Sequence, residues 1–354
     1  LQVFDVSDPA DAVAVGWVDA EFGVYDLALH GDLVYLADLN HGIRVVDAAD
    51  PTAPVVVGFR PTWDWVTDLA VAGEFLLATD SFSGLQIYDI FDPKAPKPAG
   101  SVNLGYALGV AASGTMAYVT VQRGSIGGNL QCVDIQDPDH PVVIGSLDLE
   151  YDAIDVFLRG DLAYLSASNR DVDVVDVSDP AAPELVTSVI TPGHAYGATV
   201  DGPILYVADG SAGLQVFDVS VPASPVHLGT RKTPGRAIHV AAADGRVFVC
   251  GGGDGVQIAP RHCGVSAAGE LPVAGPVVRL RQNHPNPFNP ATVIPFELSA
   301  PGPVTLRIYD LSGRLVRVLG RGEYLPAGGH SAVWRGVDQA GQRVASGVYF
   351  YRLE

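Results

Sequence analysis

Apolar residues in this chain come in short runs punctuated by Gly, Asp, Asn and Pro, without the three-to-four spacing of a helix face. Runs such as Leu33-Val-Tyr-Leu-Ala37, Leu162-Ala-Tyr-Leu165 and Pro54-Val-Val-Val-Gly58 are almost wholly apolar. A strand with one face in water alternates apolar and polar residues, so these runs predict strands covered on both faces. One period reads as four strands, 24–29, 33–37, 43–46 and 55–59, here termed a, b, c and d. Their connections are His30-Gly-Asp32, Asp38-Leu-Asn-His-Gly42 and residues 47–54, all rich in turn formers.

The pattern repeats. Leu1-Gln-Val-Phe-Asp-Val-Ser-Asp-Pro9 recurs at 43–51, 85–93, 130–138, 172–180 and 214–222, with closing prolines 42 residues apart except for a spacing of 45 before Pro138. A seventh copy begins at Val256-Gln-Ile258 and stops at Ala259-Pro260. Four short strands per period, each followed by a turn, make a propeller blade. The predicted fold is therefore all-β, a β-propeller over residues 1–260. Strands a and b occur six times, while 1–6 and 13–18 add a c and a d at the front. Six blades close if 13–18 serves as strand d of the last blade, which removes exposed sheet edges. That solution sets 1–6 against 256–258 for one place. The alternative is a propeller of seven or more blades, truncated at its N-terminus.

The motif in Gly42-Ile-Arg-Val-Val-Asp47 and Gly213-Leu-Gln-Val-Phe-Asp-Val219, ending in Asp-Pro, resembles the LVIVD repeat family across residues 1–258. The resemblance implies a bacterial or archaeal propeller, commonly on exported proteins, and no activity shared by all members.

Aspartates recur at two positions, Asp5, Asp47, Asp89, Asp134, Asp176 and Asp218, and Asp8, Asp50, Asp92, Asp137 and Asp179. A short carboxylate accepts hydrogen bonds from amides two or three residues on, so these are expected to fix Asx turns. Calcium needs six to eight converging oxygens, more than Asp-x-x-Asp supplies. No metal and no cofactor is expected. Gly251-Gly-Gly-Asp-Gly255 lies between strands with no Lys and no following helix, and reads as a turn rather than a phosphate loop.

With 40 Asp and Glu against 21 Lys and Arg, a net charge of −19 excludes a nucleic-acid partner. No apolar run approaches the roughly 18 residues of a membrane-spanning helix. Cys132 and Cys250 fall where other repeats carry aliphatic residues, Cys250 aligning with Leu36, Val119 and Val207. Both are expected to be small buried hydrophobes, the alternative being a Cys250–Cys263 pair.

Loops d-to-a and b-to-c meet on one face of a propeller, around the mouth of its channel. The d-to-a entries carry Glu21 and Phe22, then Trp63, Asp64 and Trp65, then Tyr106, Tyr151, Asp152, His194, Tyr196 and Arg236, with His239 just inside strand a. Rigid aromatic groups among a few charges suit a glycan face or a protein hot spot, since they bury area at low entropy cost. The alternative is that these rings plug the channel or pack between blades. The loop Gln122-Arg-Gly-Ser-Ile-Gly-Gly-Asn129 is longer than its counterparts and is a further recognition candidate. His194 and His239, with Asp26, Asp68 and Asp155 at matching strand-a positions, form a candidate acid–base or metal group, although no hydrolase elbow or zinc motif accompanies them.

Periodicity stops after Pro260, and residues 261–280 read as a linker rich in Ala, Gly and Pro. Residues 281–354 return to short strands at 293–298, 304–310, 315–319, 330–334 and 348–353. Asn283-His-Pro-Asn-Pro-Phe-Asn-Pro290, Ile308-Tyr-Asp-Leu-Ser-Gly-Arg-Leu-Val316 and Ala345-Ser-Gly-Val-Tyr-Phe-Tyr-Arg352 resemble the FlgD-type immunoglobulin-like domain and the C-terminal sorting domains of the type IX (Por) secretion system. The resemblance implies export and surface attachment through secretion machinery. Family members continue into one more basic strand, so 348–353 is expected to lack its hairpin partner.

The sequence thus points to a secreted or cell-surface, non-catalytic binding protein whose propeller face takes a glycan or an extracellular protein. The alternatives are an extracellular carbohydrate-active enzyme using Asp64, Asp152, His194 and His239, and an architectural module of a larger surface protein.

Overall fold

A computed structural model of the chain describes all residues except 8–11, 20–22, 39–40, 63, 125–126, 168–170, 252–254, 261–277, 281–282, 285–290, 299–300, 311–313, 345–348 and 354. Glu21, Phe22, Trp63, Cys263 and most of the expected linker lie outside the described residues. The chain divides into two compact units, Leu1–Gly264 and Val265–Glu354. Among the described residues no helix is long and apolar enough to cross a membrane.

The first unit is a succession of antiparallel meanders. Sheet 1 comprises Leu27–His30, Leu33–Asp38, Gly42–Asp47 and Val55–Arg60; sheet 2, Val66–Ala72, Phe75–Asp80, Gly84–Asp89 and Lys97–Val102. Sheet 3 comprises Tyr106–Ser113, Met116–Gln122, Gly128–Asp134 and Val142–Asp148; sheet 4, Ala153–Arg159, Leu162–Ala167, Asp171–Asp176 and Glu184–Ile190. Sheet 5 comprises Gly197–Asp201, Ile204–Ala208, Leu214–Asp218 and Val226–Arg231, and sheet 6 has only a, b and c: Ala237–Ala243, Arg246–Gly251 and Gly255–Pro260.

The apolar clusters lie between successive sheets, which is why the central strands are apolar at nearly every position. Tyr35, Ala37 and Val45 of sheet 1 meet Leu69, Leu76 and Ala78 of sheet 2. Leu77 and Leu85 meet Val110 and Val119 of sheet 3, and the same packing continues to sheet 6, where Tyr206 and Ala208 meet Ala237 and Val249. This face-to-face stacking of four-stranded sheets is a β-propeller arrangement.

The turns are built as expected. The carboxylates of Asp5, Asp47, Asp89, Asp134, Asp176 and Asp218 each accept the backbone amide two residues on, as do those of Asp50, Asp92, Asp137 and Asp179. Each ties down the c-to-d connection at its two ends.

Strand d carries a bulge in every complete sheet, after which a glycine usually follows. A Cβ on Gly58 would lie 2.0 Å from the Lys94 carbonyl oxygen of the next sheet; on Gly100, 2.1 Å from that of Pro138; on Gly145, 2.1 Å from that of Pro180. Only a residue without a side chain lets one sheet approach the turn of the next so closely.

Two expectations about closure are corrected. Val13–Trp17 does not complete sheet 6; it pairs with Gln2–Asp5 in a two-stranded sheet of its own, so residues 1–6 and 256–258 do not compete. This pair has the bulge of a c–d pair, and a Cβ on Gly16 would lie 2.1 Å from the Pro51 carbonyl oxygen of sheet 1. Leu1 and Val18 cover Val34, Leu36 and Val46. Tertiary packing on sheet 1 therefore holds the pair as the outer half of a preceding blade.

Cys132 is buried, but Cys250 is exposed. The turn pairing Ala243 with Arg246 aligns Cys250 with Ala37, Thr79, Thr120, Ser166 and Ala208, one residue away from the sequence alignment, and so on the opposite face.

The second unit holds two three-stranded antiparallel sheets, Val278–Leu280 with Thr292–Leu298 and Gly328–Trp334, and Leu315–Leu325 with Gly302–Asp310 and Tyr349–Leu353. Ile294 and Trp334 of one share a core with Leu306, Ile308 and Val316 of the other. Val278–Leu280 is thus a strand where linker was expected. Tyr349–Leu353 pairs along Gly302–Asp310, from Leu306↔Leu353 to Asp310↔Tyr349, so its partner is a strand distant in sequence rather than a hairpin neighbour.

Candidate functional site

In an antiparallel meander the start of a, the end of b, the start of c and the end of d share one end of the sheet. The described members of the predicted mouth set lie at that end, and the structure gathers them into separate clusters.

At sheet 2, burial is the main cause that raises the Asp80 carboxyl, and the charge of nearby Asp64 adds to it. The Trp65 carbonyl accepts bonds from the Ser81 amide and hydroxyl at 3.0 and 3.1 Å, and its ring is 49% exposed. Phe82 in the b-to-c turn is 65% exposed and packs edge-on against Tyr106 at 5.2 Å. Sequence reasoning missed Phe82; an aromatic residue inside the otherwise small, polar turn Ser81-Phe-Ser-Gly84 was the available clue.

Between sheets 3 and 4, Asp152 Oδ2 accepts Gln122 Nε2 at 2.8 Å, and the long loop's Arg123 pairs with Asp148 at 2.7 Å. The loop is therefore tied to its mouth cluster through its first two residues. Beside it the Asn129 amide is fully buried, and neither its oxygen nor its nitrogen has a protein partner. Tyr151 is exposed next to this nest.

At sheets 5 and 6, the Arg236 guanidinium lies over the Tyr196 ring, 5.0 Å from its centroid, and donates to the Tyr196 hydroxyl. The His194 ring is 6.3 Å from Tyr196. Behind them Asp209 accepts the Thr191 hydroxyl at 2.7 Å and the Gly193 amide at 3.0 Å, fixing the d-to-a loop that carries His194.

Deeper in, strand a bulges just before Asp68, Asp155 and His239, and the extra residue turns these side chains inward. Asp26 Oδ2 accepts the Leu69 amide of sheet 2 at 3.0 Å, and Asp68 Oδ2 accepts the Val110 amide of sheet 3 at 2.7 Å. Asp155 likewise accepts the Ala198 amide of sheet 5. Innermost strands of neighbouring blades do not share a ladder, so these carboxylates staple one sheet to the next. Gly109 and Gly197 hold the equivalent positions in sheets 3 and 5, and a Cβ on Gly109 would lie 2.9 Å from the Asp155 backbone.

The staples carry an electrostatic cost. Burial, then the Asp26 charge and the hydrogen bond with Asp26, hold the Asp68 carboxyl well above the ordinary range. Burial pushes Asp155 up to about 6, against the pull of His239. A neutral Asp68 donates to Asp26, the way two carboxyls too close to ionise together share a proton. Such a pair has acid–base capacity, but its oxygens are committed to backbone amides. The four residues expected for a carbohydrate-active enzyme are dispersed among these clusters: Asp64 beside Asp80, Asp152 beside Gln122, His194 beside Tyr196, His239 beside Asp155. Among the described residues no group of three or more His, Cys, Asp or Glu could hold a metal ion.

The fold has solved counterparts. A computationally designed protein, Ika8, aligns over 89% of this chain and 96% of its own, with a TM-score of 0.54 and 12% identity. A chain of the Mitotic Checkpoint Complex aligns over 72% of this chain and 83% of its own, with a TM-score of 0.59 and 10% identity. At such identities the likeness is one of fold. No curated protein matches the sequence. A family model described as LVIVD repeat matches residues 23–60, 65–103, 104–148, 152–191 and 192–233, more than half of the chain.

Proposed function

This chain belongs to the LVIVD repeat family, and from that premise we propose that it is a secreted or cell-surface binding protein whose mouth face recognises a glycan or an extracellular protein without chemistry. The observation that carries this reading is the contrast between the two layers of the channel. The inner carboxylates are spent on staples between sheets, while Trp65, Phe82, Tyr151 and the Arg236–Tyr196 pair stand at the rim, the first three well exposed. What supports a recognition role is that rigid rings and a stacked guanidinium gather on one face, since aromatic and Arg groups grouped in this way are the commonest binding anchors. A stacked Arg–Tyr pair offers both a ring face and forked donors, which suits sugar hydroxyls or an acidic protein side chain.

The second unit completes the reading. Its two sheets around one core are consistent with an immunoglobulin-like sandwich, and its FlgD-type and type IX sorting motifs give it the role of engaging secretion machinery or anchoring the propeller outside the cell.

The test is a glycan array probed with the full chain beside Trp65→Ala and Tyr196→Ala. Selective binding by the parent, weakened about tenfold or more in each variant, is the expected result. A folded parent that binds no glycan removes the glycan form of the proposal. If an exported-protein fraction is then captured equally by parent and variants, the rim reading falls as well.

A further inference from the structure

The d-to-a loops entering sheets 2 and 6 share a build and differ in charge. Residues 61–65 lead from Arg60 to Val66, and residues 232–236 lead from Arg231 to Ala237. In both, a threonine hydroxyl donates to the carbonyl two residues on, Thr62 to Asp64 at 2.9 Å and Thr233 to Gly235 at 2.6 Å. Pro61 and Trp65 of the first loop are matched by Lys232 and Arg236 of the second. Asp64, and Asp80 opposite Val66, are matched by Gly235 and by Gly251 opposite Ala237. On one backbone plan, two carboxylates are therefore lost and two cations gained. Asp38 and Asp209 hold this strand-b position in sheets 1 and 5, where they engage Arg44 and the Thr191 hydroxyl, each at 2.7 Å. Sheet 6 has no side chain there.

Arg231 adds to the patch. It pairs with Leu214, which packs between sheets 5 and 6, so its side chain leaves the strand on the sheet 6 side. Its equivalent Arg60 lies over Tyr88 of the following sheet, 6.0 Å from the ring centroid, whereas the counterpart of Tyr88 in sheet 6 is Ala259. Arg231, Lys232 and Arg236 are all exposed, and among the described residues none of them forms an ion pair with a carboxylate. Positive charge is thus gathered in one loop of a chain whose net charge is −19. The loop is held in place. A Cβ on Gly213 would lie 2.4 Å from the Arg231 carbonyl oxygen, and Ala237 exchanges backbone hydrogen bonds with Gly210 at 3.0 Å each. Arg236 lies over the Tyr196 ring and donates to its hydroxyl, which anchors the guanidinium and leaves its other N–H groups for a ligand.

We infer that this loop, with Arg231 and the Tyr196 ring beneath Arg236, is an anion subsite of the mouth, and that its ligand is a carboxylate of an acidic polysaccharide, a polyuronate chain. The assignment rests on the mouth face being a recognition surface and names the class of glycan it takes. A guanidinium fork matches the two oxygens of a carboxylate with parallel hydrogen bonds, and Lys232 and Arg231 supply further charge to a chain that carries an acid on each sugar. His194 is matched to Arg236 in Thr191-Pro-Gly-His-Ala195 and Thr233-Pro-Gly-Arg-Ala237. It stands 6.3 Å from the same Tyr196 ring and extends the subsite onto sheet 5. The surroundings favour a sugar chain over a protein. A broad acidic protein surface seated here would also overlie Glu150 and Asp152 of the sheet 4 mouth and be repelled, whereas a single polysaccharide strand can meet the loop without covering them.

The test measures binding of the full chain to immobilised polygalacturonate and to its methyl ester, which keeps the sugar and removes the charge, beside Arg236→Gln, Gly235→Asp and Trp65→Ala. Polygalacturonate is expected to bind about tenfold or more tighter than the ester, with an affinity that falls as salt rises. Arg236→Gln and Gly235→Asp should each abolish that preference. The second leaves every cation in place and adds the carboxylate that the sheet 2 loop carries, at a glycine without positive φ. Trp65→Ala should weaken both polymers alike and leave their ratio unchanged. Equal affinity of the parent for the two polymers, with both weakened in Trp65→Ala, overturns the anion subsite while the recognition face stands. Polyglutamate bound as tightly as polygalacturonate, and lost in Arg236→Gln, overturns the sugar in favour of an acidic peptide. A folded parent that binds neither polyanion overturns the subsite itself.

Discussion

Replacing Gly58 by Ala lowers the stability of the first unit by about 3 kcal/mol or more, whereas the same change at Gly229 stays within about 1 kcal/mol of the parent. Both glycines follow the bulge of strand d, pairing with Val45 and Val216 respectively. A Cβ at Gly58 would sit 2.0 Å from the Lys94 carbonyl oxygen, a backbone atom that cannot rotate aside, so sheets 1 and 2 must part. At Gly229 a Cβ meets nothing within 4 Å. Sheet 6 carries Ala259-Pro260 where other repeats carry the Asp-x-x-Asp-Pro turn, so the contact has no counterpart there. Neither glycine has positive φ, so backbone strain does not separate the two sites. Chemical denaturation of both variants, followed by the transition of the first unit, gives the comparison. Equal losses at the two positions would show that the sheet-to-turn approach is not a packing constraint.

The second large effect is a reversal of the usual response to acid. Asp68 and Asp155 have folded pKa values above their unfolded ones, the latter at about 6 against 3.8. Between about pH 4 and pH 6 the folded state therefore binds more protons than the unfolded state, and stability falls as pH rises through that window. For Asp155 the penalty is fully developed above about pH 6 and absent below about pH 4, and for Asp68 it likewise grows as pH rises above the ordinary carboxylate range. Asp47 and Asp50 work the other way. Their pKa values are lowered, Asp47 chiefly by Lys94 and Asp50 chiefly by Thr52, and their contribution is lost only as pH falls below the ordinary carboxylate range. Stability of the first unit should thus peak on the mildly acidic side.

Asp68→Asn is expected to raise stability on the alkaline side of the Asp68 titration by on the order of 2 kcal/mol, the scale of relieving a buried, poorly compensated charge. An Asn amide keeps one oxygen for the Val110 amide and donates to Asp26, and the Leu69 amide, which also binds Asp68 Oδ1, retains Asp26 Oδ2 as its acceptor. The gain should vanish near pH 4, where the parent Asp68 is already protonated. Thermal melts of parent and variant from pH 4 up through that titration decide it. A variant less stable than the parent on the alkaline side would mean that the carboxylate's amide bonds outweigh its desolvation.

Several features of this chain could be read from the sequence because they are local. The Asp-x-x-Asp-Pro turns need only a carboxylate and an amide two residues on, and every described one forms as read. Strands covered on both faces left their mark as apolar runs, and the period of 42 residues marked the blade. Mouth residues such as Trp65, Tyr196 and Arg236 could be nominated because loop order fixes which end of a sheet they occupy. Their partners could not. The stacking of Arg236 on Tyr196 joins two repeats, and the edge-on contact of Phe82 with Tyr106 joins two more.

Register and closure were decided elsewhere. The one-residue shift at Cys250 depends on the hairpin turn at Asp244-Gly245, where Asp244 itself takes a positive φ of 50°. Motif matching does not see that turn. The bulges that aim Asp68 and Asp155 inward leave no mark in composition, yet they convert ordinary strand residues into staples between blades.

The sequence by itself determined the repeat, the four-strand blade and the turn chemistry, since each follows from interactions spanning a few residues or from periodic burial. Tertiary structure alone decided where the first two strands go and which glycines are indispensable. It also decided which aspartates carry raised pKa values, because those depend on how close one sheet comes to the next.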